Sequence, residues 1–414
     1  MINHSNQPQE FDAVIGGNAS PTLNDVVLGG IQGVKKRLES EDEEQQVAAL
    51  EDALKYGDAG IDLIIETLYD SFDEMHNRAA RLLRKAGIKG KQVLLDYDPW
   101  LWFTTFKDWE PEDLYDSDIE EAAGGIVYIV GGKRQLLTLL NNSKVGYIEA
   151  IKIQKYVRKS YTNKSVQDVV DLLVEKKNPL KNLQALFVGE FCQTYNVKYK
   201  TSKLDVCSIY PLLKAYPFLE LLHIRGRMVE EDILKNNSQL LQIRSANGNS
   251  FTPSKALVHN HLKTLIVEAA EITEKNLTKI CNLDLPSLEY FELWLGRGKH
   301  YNINLDILAP ILSGKSFPNL LFLAIRGTAN TSEIAQAITK SPILNKLRVL
   351  ELTDGNLTNI GAIALLKTPS VNRLHTLDVS GNRINPGMLE QLSQLKCRVL
   401  TGSQFNDRYY SIWE

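Results

Sequence analysis

The second half of the chain repeats one apolar spacing, Leu-x-x-Leu-x-Leu with Val, Ile or Phe allowed, and that spacing limits the fold more than any other feature. It is met at Leu183/Leu186/Val188, Leu219/Leu222/Ile224, Leu262/Leu265/Val267, Leu288/Phe291/Leu293, Leu320/Leu323/Ile325, Leu347/Leu350/Leu352 and Leu374/Leu377/Val379. From Leu262 onward the first leucines are 26, 32, 27 and 27 residues apart, which leaves room for a short strand and a returning helix in each unit. One such unit cannot cover its own apolar face, so the units must stack. Degenerate copies are expected at Leu241/Ile243 and near Val399, for about eight to nine units in all. Asn382 falls at the ninth position of its unit, where an amide can satisfy backbone groups in the turn. Thr328 and Gly355 stand at that position in two earlier units, and irregular turns are expected there.

The first half follows a different period. Residues 1–32, punctuated by Gly16-Gly17, Pro21 and Gly29-Gly30, read as an extended arm. From residue 43 apolar residues recur every three to four positions, at Val47, Leu50 and Leu54, then Leu63, Ile64 and Leu68, then Ala79, Leu82 and Leu83. Breaks at 56–58 and 70–73 separate these amphipathic helices, as in helical-pair solenoids. The stretch 73–87, with small Ala79 and Ala80, resembles a HEAT-repeat helix, so 33–96 are expected to form a HEAT-like helical domain. Residues 97–178 read as a helical connecting region, with helices at 136–140, 148–157 and 166–174. It carries an aromatic cluster, Trp100, Trp102, Phe103, Phe106 and Trp109, expected to plug the end of the helical array, and an acidic loop over 108–121. Residues 179–414 form the repeat solenoid with a C-terminal tail.

Composition narrows the function classes. Residues 1–178 carry 21 Lys+Arg against 30 Asp+Glu, and the remainder 26 against 20, so the halves have opposite net charge. The acidic runs do not suit nucleic acid. Cys192, Cys207, Cys281 and Cys397 show no paired spacing, which indicates neither a disulfide framework nor a zinc site. No stretch of 18 apolar residues appears and the first residues lack a basic flank, so the expected location is cytoplasmic, without a membrane partner. Gly124 to Lys133 invites a phosphate-loop reading, but Val127 and Arg134 stand where glycine and a hydroxyl are required. His259-x-His261 lacks a nearby third metal ligand, and no Gly-x-Ser-x-Gly elbow occurs.

The repeat length resembles the ribonuclease-inhibitor class of leucine-rich repeats. The expected fold is therefore an α/β leucine-rich-repeat solenoid, a parallel β-sheet lining a curved horseshoe with helices outside, preceded by the α-helical HEAT-like domain. Leu285-Pro-Ser-Leu-Glu-Tyr-Phe-Glu-Leu-Trp-Leu-Gly296, Phe317-Pro-Asn-Leu-Leu-Phe-Leu-Ala-Ile-Arg326, the stretches 209–226 and 341–344 and the closing Tyr409-Tyr-Ser-Ile-Trp-Glu414 are similar to a bacterial leucine-rich-repeat family of undetermined activity. The glycine-doublet arm with its HEAT-like start resembles cyanobacterial proteins. The resemblance implies a fold and no reaction, and residues 297–304 depart from it where relatives tend to be rich in glycine.

Function then rests on the strand residues that point away from the helices, which stand in columns because strand side chains alternate. One column reads His223, Gln242, Ile266, Glu292, Ala324, Glu351, Asp378, the next Arg225, Arg244, Glu268, Trp294, Arg326, Thr353, Ser380, and a third includes Tyr290 and Phe322. Trp, Tyr and Arg are the types enriched at interface hot spots. The expected function is a non-enzymatic scaffold or adaptor that binds a protein partner on the concave face through His223, Arg225, Arg244, Tyr290, Glu292, Trp294, Phe322, Arg326, Glu351 and Asp378, with no cofactor or metal. Tyr290, Trp294, Phe322 and Arg326 are expected to form an exposed cluster, and Glu351 and Asp378 a solvated ladder. The alternative is an uncharacterised enzyme or a cofactor-attachment factor of bilin-lyase or chaperone-like type, since HEAT-like helices also serve in bilin attachment.

Overall fold

The structure, a computed structural model, describes residues 30–70, 74–113, 125–156, 165–192, 203–206, 208–228, 256–296 and 302–405. The chain divides into two compact units, Met1–Phe103 and Thr104–Glu414.

The first unit is helical: α1 (Gly30–Leu38), α2 (Glu43–Ala53), α3 (Gly57–Asp70), α4 (Glu74–Lys85) and α5 (Gly87–Tyr97). Asp42 caps α2 by accepting from the backbone N–H groups of Glu44 and Gln45. Leu50, Ala53, Ile64, Leu68, Ala79, Leu83 and Leu94 share one core. Glycines recur thirty positions apart, at 57 and 87 and at 60 and 90. Gly57 and Gly87 turn the chain at positive φ. A Cβ on Gly60 would sit 1.7 Å from the Ala53 carbonyl oxygen, and one on Gly90 2.0 Å from that of Leu83. In each case the second helix therefore crosses the first at backbone contact, which only glycine allows. The helix α1 begins inside the stretch read as an arm, and residues 1–29 lie outside the described residues.

The second unit is built on one sheet whose strands are β1 (Glu110–Asp113), β2 (Ile126–Val130), β3 (Ala150–Tyr156), β4 (Ala185–Cys192), β5 (Asp205–Val206), β6 (Leu221–Met228), β7 (Thr264–Ile272), β8 (Tyr290–Leu295), β9 (Phe322–Arg326), β10 (Val349–Glu351), β11 (Thr376–Asp378) and β12 (Arg398–Leu400). The order follows the chain from end to end, with β5 pairing beside β6 off the main path. Neighbouring strands run parallel, in register template on template, as in Leu265↔Phe291, Phe291↔Leu323 and Leu350↔Leu377. Every residue of the seven predicted templates is buried in a single core with helix residues such as Leu212, Leu277, Ile334, Ala362 and Met388. The unit is an open, all-parallel α/β solenoid of leucine-rich repeats.

The sheet begins well before the expected boundary at 179. The connecting region read as helical contributes β1, β2 and β3, and the stretch 148–157 read as a helix holds a strand. Ile148, Ile151 and Ile153 satisfy the template with isoleucine at every site and join the same core. The aromatic cluster is divided as well: Trp102 packs on the helical core, whereas Trp109 belongs to the sheet unit. The degenerate copy near Val399 is β12, paired Val399↔Leu377. Leu241, Ile243, Gln242 and Arg244 lie outside the described residues, and β6 pairs directly with β7.

Asn382 does what its position implied. Its amide donates to the carbonyls of Leu352 (2.6 Å), Val379 (2.9 Å) and Ser380 (3.0 Å), and its Oδ1 accepts from Leu357 N–H at 3.0 Å. One side chain thereby ties two successive turns together. At Thr328 a backbone carbonyl takes over, accepting from Asn356 N–H at 3.1 Å.

Candidate functional site

Leu, Ile, Val and Phe at the template positions hold one face of the sheet against the helices, so the residues between them line the other face. The column at or near the start of the strands is buried and mostly apolar from β2 to β11: Val127, Ala150, Ala185, Leu221, Thr264, Tyr290, Phe322, Val349, Thr376. Tyr290 and Phe322, expected to be exposed, are 8% and 0% exposed and stack face to face with centroids 3.9 Å apart. Pairing on adjacent parallel strands sets that separation near the interstrand spacing of about 4.8 Å. The open strip of this face is consequently narrower than the sequence suggests: in the next column Phe187, Glu292, Ala324 and Glu351 are buried as well, while in the column after it Arg225, Trp294 and Arg326 stay part-exposed.

Those columns hold two groups of charges. On β3 to β7 the signs alternate. Lys152 reaches Glu190 (3.0 Å), Glu190 reaches Arg225 (3.2 Å), Arg225 pairs with Glu268, and His223 Nε2 lies 3.3 Å from Glu268. Rings are interleaved, with Lys152 over the Phe187 ring at 4.9 Å and Phe187 edge-on to His223 at 4.5 Å. Burial alone would raise the Glu268 carboxyl, but His223 and Arg225 beside it hold it below its ordinary value. Glu190 sits at positive φ directly after Gly189. A Cβ on Gly189 would strike the Arg225 carbonyl oxygen at 1.8 Å, so glycine there lets β4 lie close against β6, while the register against β3 shifts between Ile153 and Lys155.

On β8 to β10 one cation serves two acids. Glu292 and Glu351 both register with Ala324 on the strand between them, and the short alanine leaves space for Arg326, two residues further on, to fold back. Its guanidinium lies 3.5 Å from Glu292 and pairs with Glu351. Glu292 also accepts from the Tyr290 hydroxyl and the Trp294 indole N–H, each at 2.6 Å. The Arg326 guanidinium lies over the Trp294 ring, 4.9 Å from its centroid. Glu351 is 5% exposed, which overturns the expected solvated ladder. Burial, opposed by Arg326 and reinforced by Glu292 and Asp378, pushes its carboxyl up to about 7. Burial likewise raises the Tyr290 phenol, with Glu292 adding to it. Asp378 stays half-buried and accepts from Ser380 N–H at 2.9 Å.

Of the expected binding residues, the structure brings Tyr290, Glu292, Trp294, Phe322, Arg326 and Glu351 into one cluster, with Asp378 on the next strand. His223 and Arg225 belong to the separate ladder on β3 to β7. Sequence reasoning missed Lys152, Phe187 and Glu190 as partners. Extending the template to Ile148/Ile151/Ile153 would have placed Lys152 in its column. His259 is a structural staple: its Nδ1 accepts from Leu262 N–H at 3.1 Å, so Nε2 carries the proton donated to Tyr216 O at 2.9 Å. Among the described residues no cluster of three His, Cys, Asp or Glu could hold a metal.

No family model matches the chain, and no curated protein matches it either. Among solved structures it is similar to a protein of Bacteroides fragilis, at 20% identity and a TM-score of 0.52, over 66% of this chain and 71% of that one. It is also similar to an internalin of Listeria monocytogenes at 14% identity, with a TM-score of 0.34 over 67% of this chain and 61% of that one. The first likeness speaks to the fold alone, and the second is too slight to argue from. Among the described residues no helix is long and apolar enough to cross a membrane.

Proposed function

We propose that this protein is a non-enzymatic, cytoplasmic scaffold whose leucine-rich-repeat sheet holds a protein partner on its helix-free face, centred on Trp294. The observation that supports this reading is the fixing of Trp294. Its indole N–H is spent on Glu292 and its ring lies under Arg326, while the side chain stays half-exposed. An aromatic held in one rotamer before binding loses little entropy when a partner covers it, and Trp with Arg is a hot-spot pairing by type. The neighbouring charges are engaged with one another, Glu292 and Glu351 sharing Arg326, so association should be driven by shape and aromatic burial and depend weakly on salt. Enzymatic and cofactor-attachment readings lack such support, because the buried acids of this face are held by Arg326 rather than turned to an open site. The thirty-residue recurrence of the helical unit is that of stacked helix pairs, shorter than the roughly 40 to 47 residues of HEAT repeats, and offers a second surface for assembly.

The test is quantitative capture from the native host by wild type and by Trp294→Ala, read by mass spectrometry beside thermal melts. The expected outcome is one set of proteins lost by the variant with its melting midpoint nearly unchanged. Identical captures would sink the proposal. Arg326→Ala is unsuitable for this purpose, since it strands two buried carboxylates.

A further inference from the structure

Residues 104–113, Thr-Thr-Phe-Lys-Asp-Trp-Glu-Pro-Glu-Asp, are unlike any repeat. They contain no aliphatic residue and add nothing to the leucine core. Glu, Pro and Asp are poor strand formers, yet Glu110–Asp113 pair in parallel along the β2 edge, with Glu110 N–H donating to the Gly125 carbonyl at 2.9 Å. The segment lies where it does because of what it docks against. Trp109 fills a trough on the helix-free face formed by Val127, Ala150, Ala185 and Leu221, where two alanines leave the room. Its indole N–H donates to Glu149 Oε2 at 3.2 Å, the oxygen that also accepts Gly125 N–H at 3.0 Å. Phe106 stands edge-on to Phe187 at 6.0 Å, and the Thr104 carbonyl accepts from the Thr264 hydroxyl at 3.0 Å. A capping box between Thr105 and Asp108 shapes the intervening 3₁₀ turn. Residues three apart eclipse in such a turn, which puts Phe106 and Trp109 on one side, 6.1 Å apart. Edge-strand addition plus pocketed side chains is how extended peptides are recognised by sheets.

We propose that the β2 edge and this trough form a peptide-binding site, that residues 104–113 are its resident ligand in cis, and that a peptide carrying Phe-x-x-Trp ahead of an acidic strand occupies it in trans. The proposal rests on the reading of the helix-free face as a binding surface and names the chemistry that one part of it selects. The probe is a fluorescein-labelled synthetic peptide of sequence 104–113, followed by anisotropy against the full chain. In the wild type the tethered copy competes at an effective concentration in the millimolar range, so binding is weak. The Phe106→Ala/Trp109→Ala variant should bind at least tenfold more tightly and gain thermal midpoint from the peptide, and a peptide with both aromatics replaced by alanine should do neither.

A folded double variant that binds no better than wild type overturns the proposal. Should that variant not fold, Thr105→Ala/Asp108→Ala removes the capping box and so lowers the effective concentration of the tethered copy without deleting its aromatics; the peptide should then bind more tightly than to wild type, by less than tenfold, and a folded variant that binds no better overturns the proposal. Trp294→Ala, on β8 away from the trough, should leave peptide binding in either background unchanged. Absent peptide binding with a Trp294-dependent partner therefore ends this inference alone. Peptide binding without any Trp294-dependent partner ends the Trp294 reading alone.

Discussion

The two charged groups on the helix-free face use the same residue types at the same interstrand spacing and reach opposite electrostatic states. On β3 to β7 acids and bases alternate, each carboxylate has at least one cation within 3.3 Å, and Glu268 is held below its ordinary value. On β8 to β10 two carboxylates share Arg326, and Glu351 rises to about 7. The difference is stoichiometry under burial. Taking a carboxylate out of water costs several kcal/mol, and one guanidinium cannot offset that for two of them. Parallel register decides who meets whom, so a single alanine at 324 separates a shared cation from a ladder.

Replacing the shared cation is the largest perturbation. Arg326→Ala should destabilise the protein by about 3 to 5 kcal/mol in urea titrations, as expected for buried acids left unpaired. A loss below about 1 kcal/mol would show that the cluster is solvated in solution. Beneath the two charged groups the core should be equivalent. Leu350→Ala and Leu222→Ala, both fully buried, should each cost about 2 to 5 kcal/mol. A neutral result at either would mean the repeat register is misassigned there, and unequal costs would move the contrast into the core.

The two regions should also titrate in opposite senses. Glu351 keeps in the folded state a proton that the unfolded chain, at an ordinary value of 4.5, has already released. Its contribution is therefore present below pH 4.5, falls as pH rises toward 7 and levels off above, by up to about 3 kcal/mol from the linkage of roughly 1.4 kcal/mol per unit. Glu351→Gln should flatten that decline. Glu268 and His259 act the other way. Glu268 is lowered, so its contribution is lost as pH falls below 4.5. His259 is held neutral by burial, so its stability is lost as pH drops below the unfolded value of 6.5. Stability curves of wild type and Glu351→Gln between pH 4 and 8 would separate these senses, and coincident curves would remove the Glu351 assignment. The smallest effect is expected at Arg225, because Glu190 keeps Lys152 and Glu268 keeps His223 when it is lost: Arg225→Ala should cost about 1 kcal/mol and less at high salt.

The amino-acid sequence by itself determined the stacking. An apolar spacing that recurs with room for a helix can be buried only by neighbours of the same kind, so Leu183 through Val379 reached the core as expected and Asn382 bridged its turns. Even so, the repeats begin earlier than their leucine-rich members show, because Ile148, Ile151 and Ile153 fit a strand template and an amphipathic helix equally well over so short a run. What only the tertiary structure decided is which side chains of the other face meet. Tyr290 and Phe322 stack, Arg326 folds back over Ala324, and Trp109 fills the trough beside two alanines. These contacts, of the stacked rings, of Arg326 with its acids and of the residues lining the trough, span roughly 20 to 110 positions of the chain. The register between strands sets them, and no local pattern of hydrophobicity or charge records that register.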